Sequence, residues 1–375
     1  MAGVYIHIPF CKQKCSYCDF HFSTSLKNKS DLLKGLIKEI KSKKTLLNEP
    51  IQSIYFGGGT PSILNNDELS LIIETLYINY AIEDNVEFTL ECNPDDLTHQ
   101  KIVELKKAGI NRLSIGVQSF LDEDLHFFNR AHKANEAETS ILMSQDAGFE
   151  NITIDLIYGS PLLTMKKWEQ NLEKVRILNV PHLSAYSLTV EPKTELFHQV
   201  KIGKVQPLLD DDVIDQFKML MQKTEEYGLT QYEISNFGKE GFYSKHNSNY
   251  WKGVDYLGFG PSAHSYINGN RHWNVSNNLK YINAINDQVS YSEEELIDEN
   301  TAYNEYILTR LRTVWGIELE YLKKQFNQTL NAHFNQELKQ YLNSSYLHHD
   351  NKNIKLTKEG IFIADKITSD LFYIE

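Results

Sequence analysis

Three of the four cysteines in this 375-residue chain fall within eight positions, in Cys11-Lys12-Gln13-Lys14-Cys15-Ser16-Tyr17-Cys18. Thiolates are soft ligands. Three on one short loop can each hold one iron of a cubane [4Fe–4S] cluster, leaving the fourth iron open to another ligand. Two other chemistries also use clustered cysteines. Structural zinc usually takes four protein ligands, so His7 or His21 would have to complete the set. A disulfide framework belongs to small secreted chains, and the first residues do not read as a secretion signal. Cys92 stands apart and reads as a buried, apolar thiol.

Such a loop needs a scaffold that presents it. It follows an apolar, β-prone run, Val4-Tyr5-Ile6-His7-Ile8, after which strand and helix periodicities alternate about six times. Residues 53–56, 86–91, 112–118, 151–156 and 182–186 read as further strands. The clearest helix between them carries Leu69, Ile72, Ile73, Leu76, Tyr77 and Tyr80 on one stripe. This alternation predicts an α/β fold with a parallel sheet and crossover helices. Gly57 to Thr60, Glu91, Gln118 and Asp155 are expected at the C-terminal ends of four strands, the edge where parallel sheets and barrels bind ligands. The cysteine loop follows the first strand and so belongs to the same rim. Gly57-Gly58-Gly59-Thr60-Pro61 lacks the dinucleotide fingerprint. It reads either as a turn needing positive φ or as bare backbone that a small ligand can approach.

Lysine and arginine number 38 against 50 acidic residues, a formal charge of −12, which argues against nucleic acid or an anionic membrane surface as partner. No run approaches the roughly 18 apolar residues of a membrane span, so no strong intrinsic membrane anchor is expected. Free cysteines without an export signal point to a reducing cytoplasm.

Several motifs in order resemble the radical S-adenosylmethionine (SAM) enzymes. They are Tyr5-Ile6-His7-Ile8-Pro9-Phe10-Cys11 with Cys15 and Cys18, the Gly57–Pro61 run, Glu91-Cys92-Asn93-Pro94, Gly116-Val117-Gln118-Ser119-Phe120, Asn129-Arg130-Ala131-His132 and Asp155-Leu156-Ile157-Tyr158-Gly159. The nearest branch holds anaerobic coproporphyrinogen III oxidase and the heme chaperones of the HemW type, and the likeness runs over essentially the whole chain. It implies a partial (β/α)6 barrel. Cys11, Cys15 and Cys18 would bind the cluster, and SAM would chelate the open iron. Tyr5 and the Gly58-Gly59-Thr60 backbone would hold the methionine end of SAM. Glu91, Gln118, Arg130 and Asp155 would contact it too, Arg130 at the carboxylate, which a guanidinium matches, and the acids at ammonium or ribose hydroxyls. Read alone, Arg130 also suits a solvated helix end. One step departs from the pattern, since relatives often carry Gly-Leu-Pro-Gly where this chain has Gly159-Ser160-Pro161-Leu162.

Two features separate oxidase from chaperone. The oxidases carry a further cysteine two residues past the third, where this chain has Phe20. Downstream, Lys245-His246-Asn247-Ser248-Asn249-Tyr250-Trp251 matches the HNxxYW signature associated with heme binding in the chaperones. Imidazole is a common axial ligand of heme iron, and flat rings pack on the macrocycle, so His246, Tyr250 and Trp251 supply both elements. Taken without the resemblance, the same residues suit a turn whose aromatics fold back on the barrel. His264 and His272 are alternative or second iron ligands.

The chain divides into a barrel over residues 1–235, a loop-rich linking segment with the heme motif over 236–292, and a mostly helical, winged-helix-like domain over 293–375. The last opens on a helix at about 293–312 and contains a hairpin turning around Asp350-Asn351, with Thr357 capping the final helix. From residue 316 onward it has 7 lysines and arginines against 8 acids, so it lacks the basic face that DNA contact needs. The expected function is that of a heme chaperone on a radical-SAM scaffold, passing heme to an acceptor protein. The alternative is an oxygen-independent coproporphyrinogen III oxidase, and a third reading is a zinc-binding interaction protein. Whether SAM is cleaved, whether heme is held covalently and whether the cluster promotes a homodimer stay open.

Overall fold

The computed structural model describes residues 1–374. Its first half runs β1 (Ala2–Ile8), α1 (Lys29–Ser42), β2 (Ile51–Gly58), α2 (Asn66–Asn79), β3 (Ile82–Cys92), α3 (His99–Lys107) and β4 (Arg112–Gln118). It continues with α4 (Asp122–Phe127), α5 (Ala134–Asp146), β5 (Asn151–Tyr158), α6 (Met165–Ile177), β6 (His182–Ser187), α7 (Glu195–Lys201) and α8 (Asp210–Glu226). Strands β1 to β6 pair in parallel and in chain order. Sequential order with right-handed crossovers carries the helices to one face, so the other face curls on itself into a partial barrel.

The two faces of these strands differ in chemistry. Successive side chains on a strand point to opposite sides. Ile54, Phe56, Phe88, Leu90, Leu113 and Ile154 are buried in the main apolar core. Their alternates Tyr55, Glu91, Arg112, Ser114, Asp155 and Ser184 line an internal cavity. The barrel is therefore dry outside its lumen and polar within it. Local signals start the helices, as at α2, where Asn65 Oδ1 accepts from Glu68 N and Glu68 Oε2 accepts from Asn65 N, each at 2.9 Å.

The segment expected to be loop-rich is built of regular elements. After β7 (Thr230–Gln231), which precedes it, the segment holds β8 (Asn236–Gly238), α9 (Lys245–Lys252), β9 (Tyr256–Phe259), β10 (His264–Ile267), β11 (Asn270–Asn274) and α10 (Asn278–Asp287), and β12 (Ser292–Glu295) starts at its last residue. Strand β9 pairs parallel to β1, and β10 to β12 continue the sheet antiparallel, giving twelve strands in all. These strands hide in the sequence because each is at most five residues long, too short for alternation to show, and β11 carries two asparagines, which strands disfavour.

The C-terminal part is α11 (Glu299–Leu311), β13 (Ile317–Glu318), α12 (Leu319–Gln325), α13 (Gln328–Leu338), β14 (Leu347–His349), β15 (Asn353–Leu356), α14 (Lys358–Ile361) and α15 (Ala364–Leu371). Its first helix starts six residues later than the periodicity suggests. Asp298 is the N-cap, accepting from Thr301 N at 2.7 Å, and the acidic run before it is the exposed edge strand β12. Charge on an edge strand discourages pairing with another chain. The module has a core of its own around Tyr303, Ile307, Leu311, Phe334, Ile354 and Ile367. The hairpin lies where the sequence puts it, while Thr357 caps the short α14 and not the final helix, since α15 starts separately after Ile363.

Candidate functional site

The cysteine loop is pinned at several points to the strand ends around it. Cys11 N donates to Ser23 O and Ser23 N to Pro9 O, closing the loop at its base. Across the lumen, Asn129 takes a left-handed backbone (φ 56°), its Nδ2 donating to Lys14 O at 2.7 Å and its Oδ1 accepting from Gln13 at 2.8 Å. Arg130 follows. Its Nη1 donates to Cys15 Sγ at 3.3 Å, and its Nη2 donates to Asn93 Oδ1 and Gly116 O, both at 2.8 Å. The arginine is thus a braced cation against a sulfur and not a solvated helix end. Burial pushes the Cys18 thiol up to about 11, a desolvation that coordination of its thiolate to a metal would offset.

All three cysteines open onto one cavity of about 420 Å³, shared with Gly58, Gly59, Thr60, Glu91, Gln118, Arg130 and Asp155. The expected rim residues therefore converge, with two differences. Asp155 lies in the middle of β5, deeper in the lumen than a strand end. Tyr5 abuts Gly57 but lines the neighbouring cavity. The glycines are needed where they stand. Gly58 has φ +105°, and a Cβ on Gly59 would come within 2.7–2.8 Å of backbone atoms of Ile8 and Phe10. Gln118 is held at φ 65°, past an irregularity in the β4–β5 register, which turns its side chain into the site at the cost of some backbone strain.

Arg112 was not singled out by its sequence context. It is buried, lines the cavity, and leaves Nε and Nη2 without a partner; Arg130 Nε is likewise unpartnered. Unpaired buried guanidinium groups are costly. Their unused donors, opposite two carboxylates, fit a ligand carrying both acceptors and a positive charge, which SAM does. Among the described residues no three His, Cys, Asp or Glu side chains converge as ligands of one metal ion. In a cube each thiolate holds a different iron, and three cysteines spread around one cavity fit that arrangement. The departing run after β5 keeps its turn, with Gly159 at φ +79° and its N–H donating to Gln216 Oε1 at 2.8 Å.

Burial raises Glu91 from the usual 4.5 to about 7; the nearby Asp155 adds to this, while hydrogen bonds from Tyr55 OH (2.9 Å) and Gly58 N (3.2 Å) oppose it. A carboxyl whose folded pKa is raised binds more protons folded than unfolded, so its contribution to stability falls as pH rises from about 4.5 to about 7. Glu91→Gln should therefore be more stable than the parent at pH 8, by about 1–3 kcal/mol, and level with it at pH 4. Urea melts of the ligand-free protein at both values check this; a variant weaker than the parent at pH 8 would contradict it.

The His246 segment is helix α9. Ser244 caps it, and Glu87 on β3 accepts from Lys245 N and His246 N, both at 2.9 Å. His246 is 2% exposed, and desolvation lowers its pKa to about 3, so the ring is neutral. Its Nδ1 is 3.0 Å from Ser53 Oγ and its Nε2 2.8 Å from Tyr250 OH, and the ring stacks on Tyr55. Both nitrogens are engaged, and iron would have to displace one of these partners. Tyr250 and Trp251 line a second cavity of about 800 Å³, walled by β1, β9 to β11, α11 and α12. His264 opens onto it. His272 lies outside it, 3.8 Å from Glu294.

Residues 5–175 match the model of the radical SAM superfamily, and residues 297–363 that of the HemN C-terminal domain. The chain is 34% identical to the heme chaperone HemW of Bacillus subtilis over 98% of both chains, and 32% identical to that of Lactococcus lactis over 97% of this chain and 96% of the other. The HemW of Escherichia coli is 36% identical over 71% of this chain and 70% of its own. In fold, the chain resembles the Escherichia coli coproporphyrinogen III oxidase HemN, a radical SAM enzyme, with a TM-score of 0.86 and 22% identity over 99% of this chain and 89% of that one.

Proposed function

The chain belongs to the radical SAM superfamily and, within it, to the HemW family, and from that premise we propose that it is a heme chaperone, which binds heme beside the His246–Trp251 segment and passes it to an acceptor protein. The observation that carries this reading is the 800 Å³ cavity lined by Tyr250 and Trp251, roomy and aromatic enough for a porphyrin. Phe20 supports it. This ring is 69% exposed and borders both this cavity and the cysteine cavity, at the position where the oxidases carry a further cysteine.

In this reading Cys11, Cys15 and Cys18 hold a [4Fe–4S] cluster, which with SAM supplies one-electron chemistry when bound. Arg130, braced by Asn93, receives the SAM carboxylate, and the Gly58–Thr60 backbone its methionine end. Glu91, Gln118 and Asp155 take its ammonium and hydroxyl groups. The Arg130 cation also lowers the cost of ionising Asp155. Among the described residues no helix is long and apolar enough to cross a membrane. The free cysteines favour a reducing cytoplasm as the place of work. The C-terminal module, with its near-balanced charge, serves as lid or docking element.

The competing reading, decarboxylation of coproporphyrinogen III, is tested by anaerobic assay of cluster-reconstituted protein with SAM and a reductant. The expected result is no protoporphyrinogen. Sustained turnover would make the protein an oxidase.

A further inference from the structure

The heme motif brings an aromatic wall to the large cavity but leaves the iron without an obvious ligand. Four histidines are candidates. His246 lies behind Tyr250 with both nitrogens bonded. His7 is buried with Nδ1 at Tyr5 OH (3.1 Å) and Nε2 at His21 O (3.0 Å). His21 spends Nε2 on Asn278 Oδ1 at 2.8 Å. His264 is different. It lines the cavity, and among the described residues neither ring nitrogen makes a hydrogen bond; its one ring contact is a stack on Trp273 with centroids 6.3 Å apart. Desolvation, and then the nearby Arg271, lower its pKa, which favours the neutral ring that can ligate iron.

The surrounding wall has an order to it. Tyr250 on α9 meets Tyr256 on β9 edge to face at 4.6 Å, Tyr256 pairs across the sheet with Tyr266 on β10, and His264 is two residues along β10 on the same face as Tyr266. At the α9 end stand two cations that also line the cavity, Lys252 and Arg310. Neither has a carboxylate partner among the described residues: Lys252 Nζ lies over the Trp315 ring at 4.3 Å, and Arg310 over Tyr306 at 5.4 Å with Nη2 3.5 Å from Lys252 O. Arg271, the third cation, is already paired with Glu295 and Glu305. Two unpaired like charges held together at a cavity wall form a receptor for carboxylates.

We propose that heme lies against the Tyr250–Tyr256–Tyr266 wall with its iron on His264 and its propionates at Lys252 and Arg310, while His246 acts as a positioning residue that fixes Tyr250. This rests on the heme-chaperone reading and specifies its site.

The test is titration of the full chain with hemin, read by absorbance, for the parent and three sets of variants. His264→Ala should lower affinity about tenfold or more and shift the heme band, and added imidazole should restore the parent spectrum. His264→Met should keep heme with a shifted band, because a thioether replaces the imidazole. The pair Lys252→Gln with Arg310→Gln should weaken binding about tenfold without moving the band. Parent-like spectra and affinity in both His264 variants would overturn the proposal, as would a band shift in His246→Ala that imidazole reverses. If the parent itself shows no saturable binding, the chaperone reading fails, an outcome distinct from failure of this site.

Discussion

Cys15→Ala protein, reconstituted anaerobically with iron and sulfide, should lack the broad absorbance near about 400 nm that the parent shows. Two thiolates cannot anchor a cube that needs three, and no fourth side chain stands ready, since Cys92 is 3% exposed and its Sγ donates to Leu90 O at 3.6 Å. The loss should be essentially complete, and Cys11→Ala and Cys18→Ala should match it. Cys92→Ala is the control. It should keep the absorbance and lose only about 1 kcal/mol of stability, the cost of removing one small buried group. Iron and sulfide analysis beside the spectra would expose the contrary result, a Cys15→Ala protein that retains four irons.

Glu87→Ala should be the most damaging substitution outside that loop. The residue is 6% exposed, and its two oxygens accept from the first N–H groups of α9, with Ser244 Oγ at 3.5 Å. A carboxylate at a helix N-terminus meets both orphan donors and the positive end of the helix dipole. Removing it leaves the buried N–H of His246 and the half-buried N–H of Lys245 unpaired and should cost about 2–4 kcal/mol in a urea melt. Because α9 carries His246, Tyr250 and Trp251, hemin affinity should fall as well. Glu87→Gln, which keeps one acceptor, should lose roughly half as much. Unchanged stability in both variants would mean that the helix is held by packing alone.

Much of the barrel was legible in the sequence because its signals are local. Three cysteines within eight residues, glycines after a strand, and apolar runs between helical stripes each mark their element without knowledge of the rest. The lumen was less so. Glu87-Phe88-Thr89-Leu90-Glu91 and Arg112-Leu113-Ser114-Ile115 alternate strictly, a pattern that reports a polar inner face, yet these runs read first simply as strands with a polar residue at the C-terminal end. Arg112 and Glu87 were visible in that alternation as charges at strand positions bound for the interior. His246 illustrates the opposite case. Its residue type suggested an iron ligand, but its hydrogen bond to Ser53 depends on a contact nearly 200 residues apart, which no local pattern encodes, while Tyr250, one helical turn on, takes its other nitrogen. The short strands β9 to β11 were hidden for a related reason, since their neighbours in the sheet, not their own residue types, make them strands.

Whether this protein is a heme carrier is tested most directly by titrating the purified full chain with hemin and following the heme absorption band. A heme carrier should give a saturable shift that breaks at one heme per chain. A linear change with no saturation, indistinguishable from heme in buffer, would contradict it.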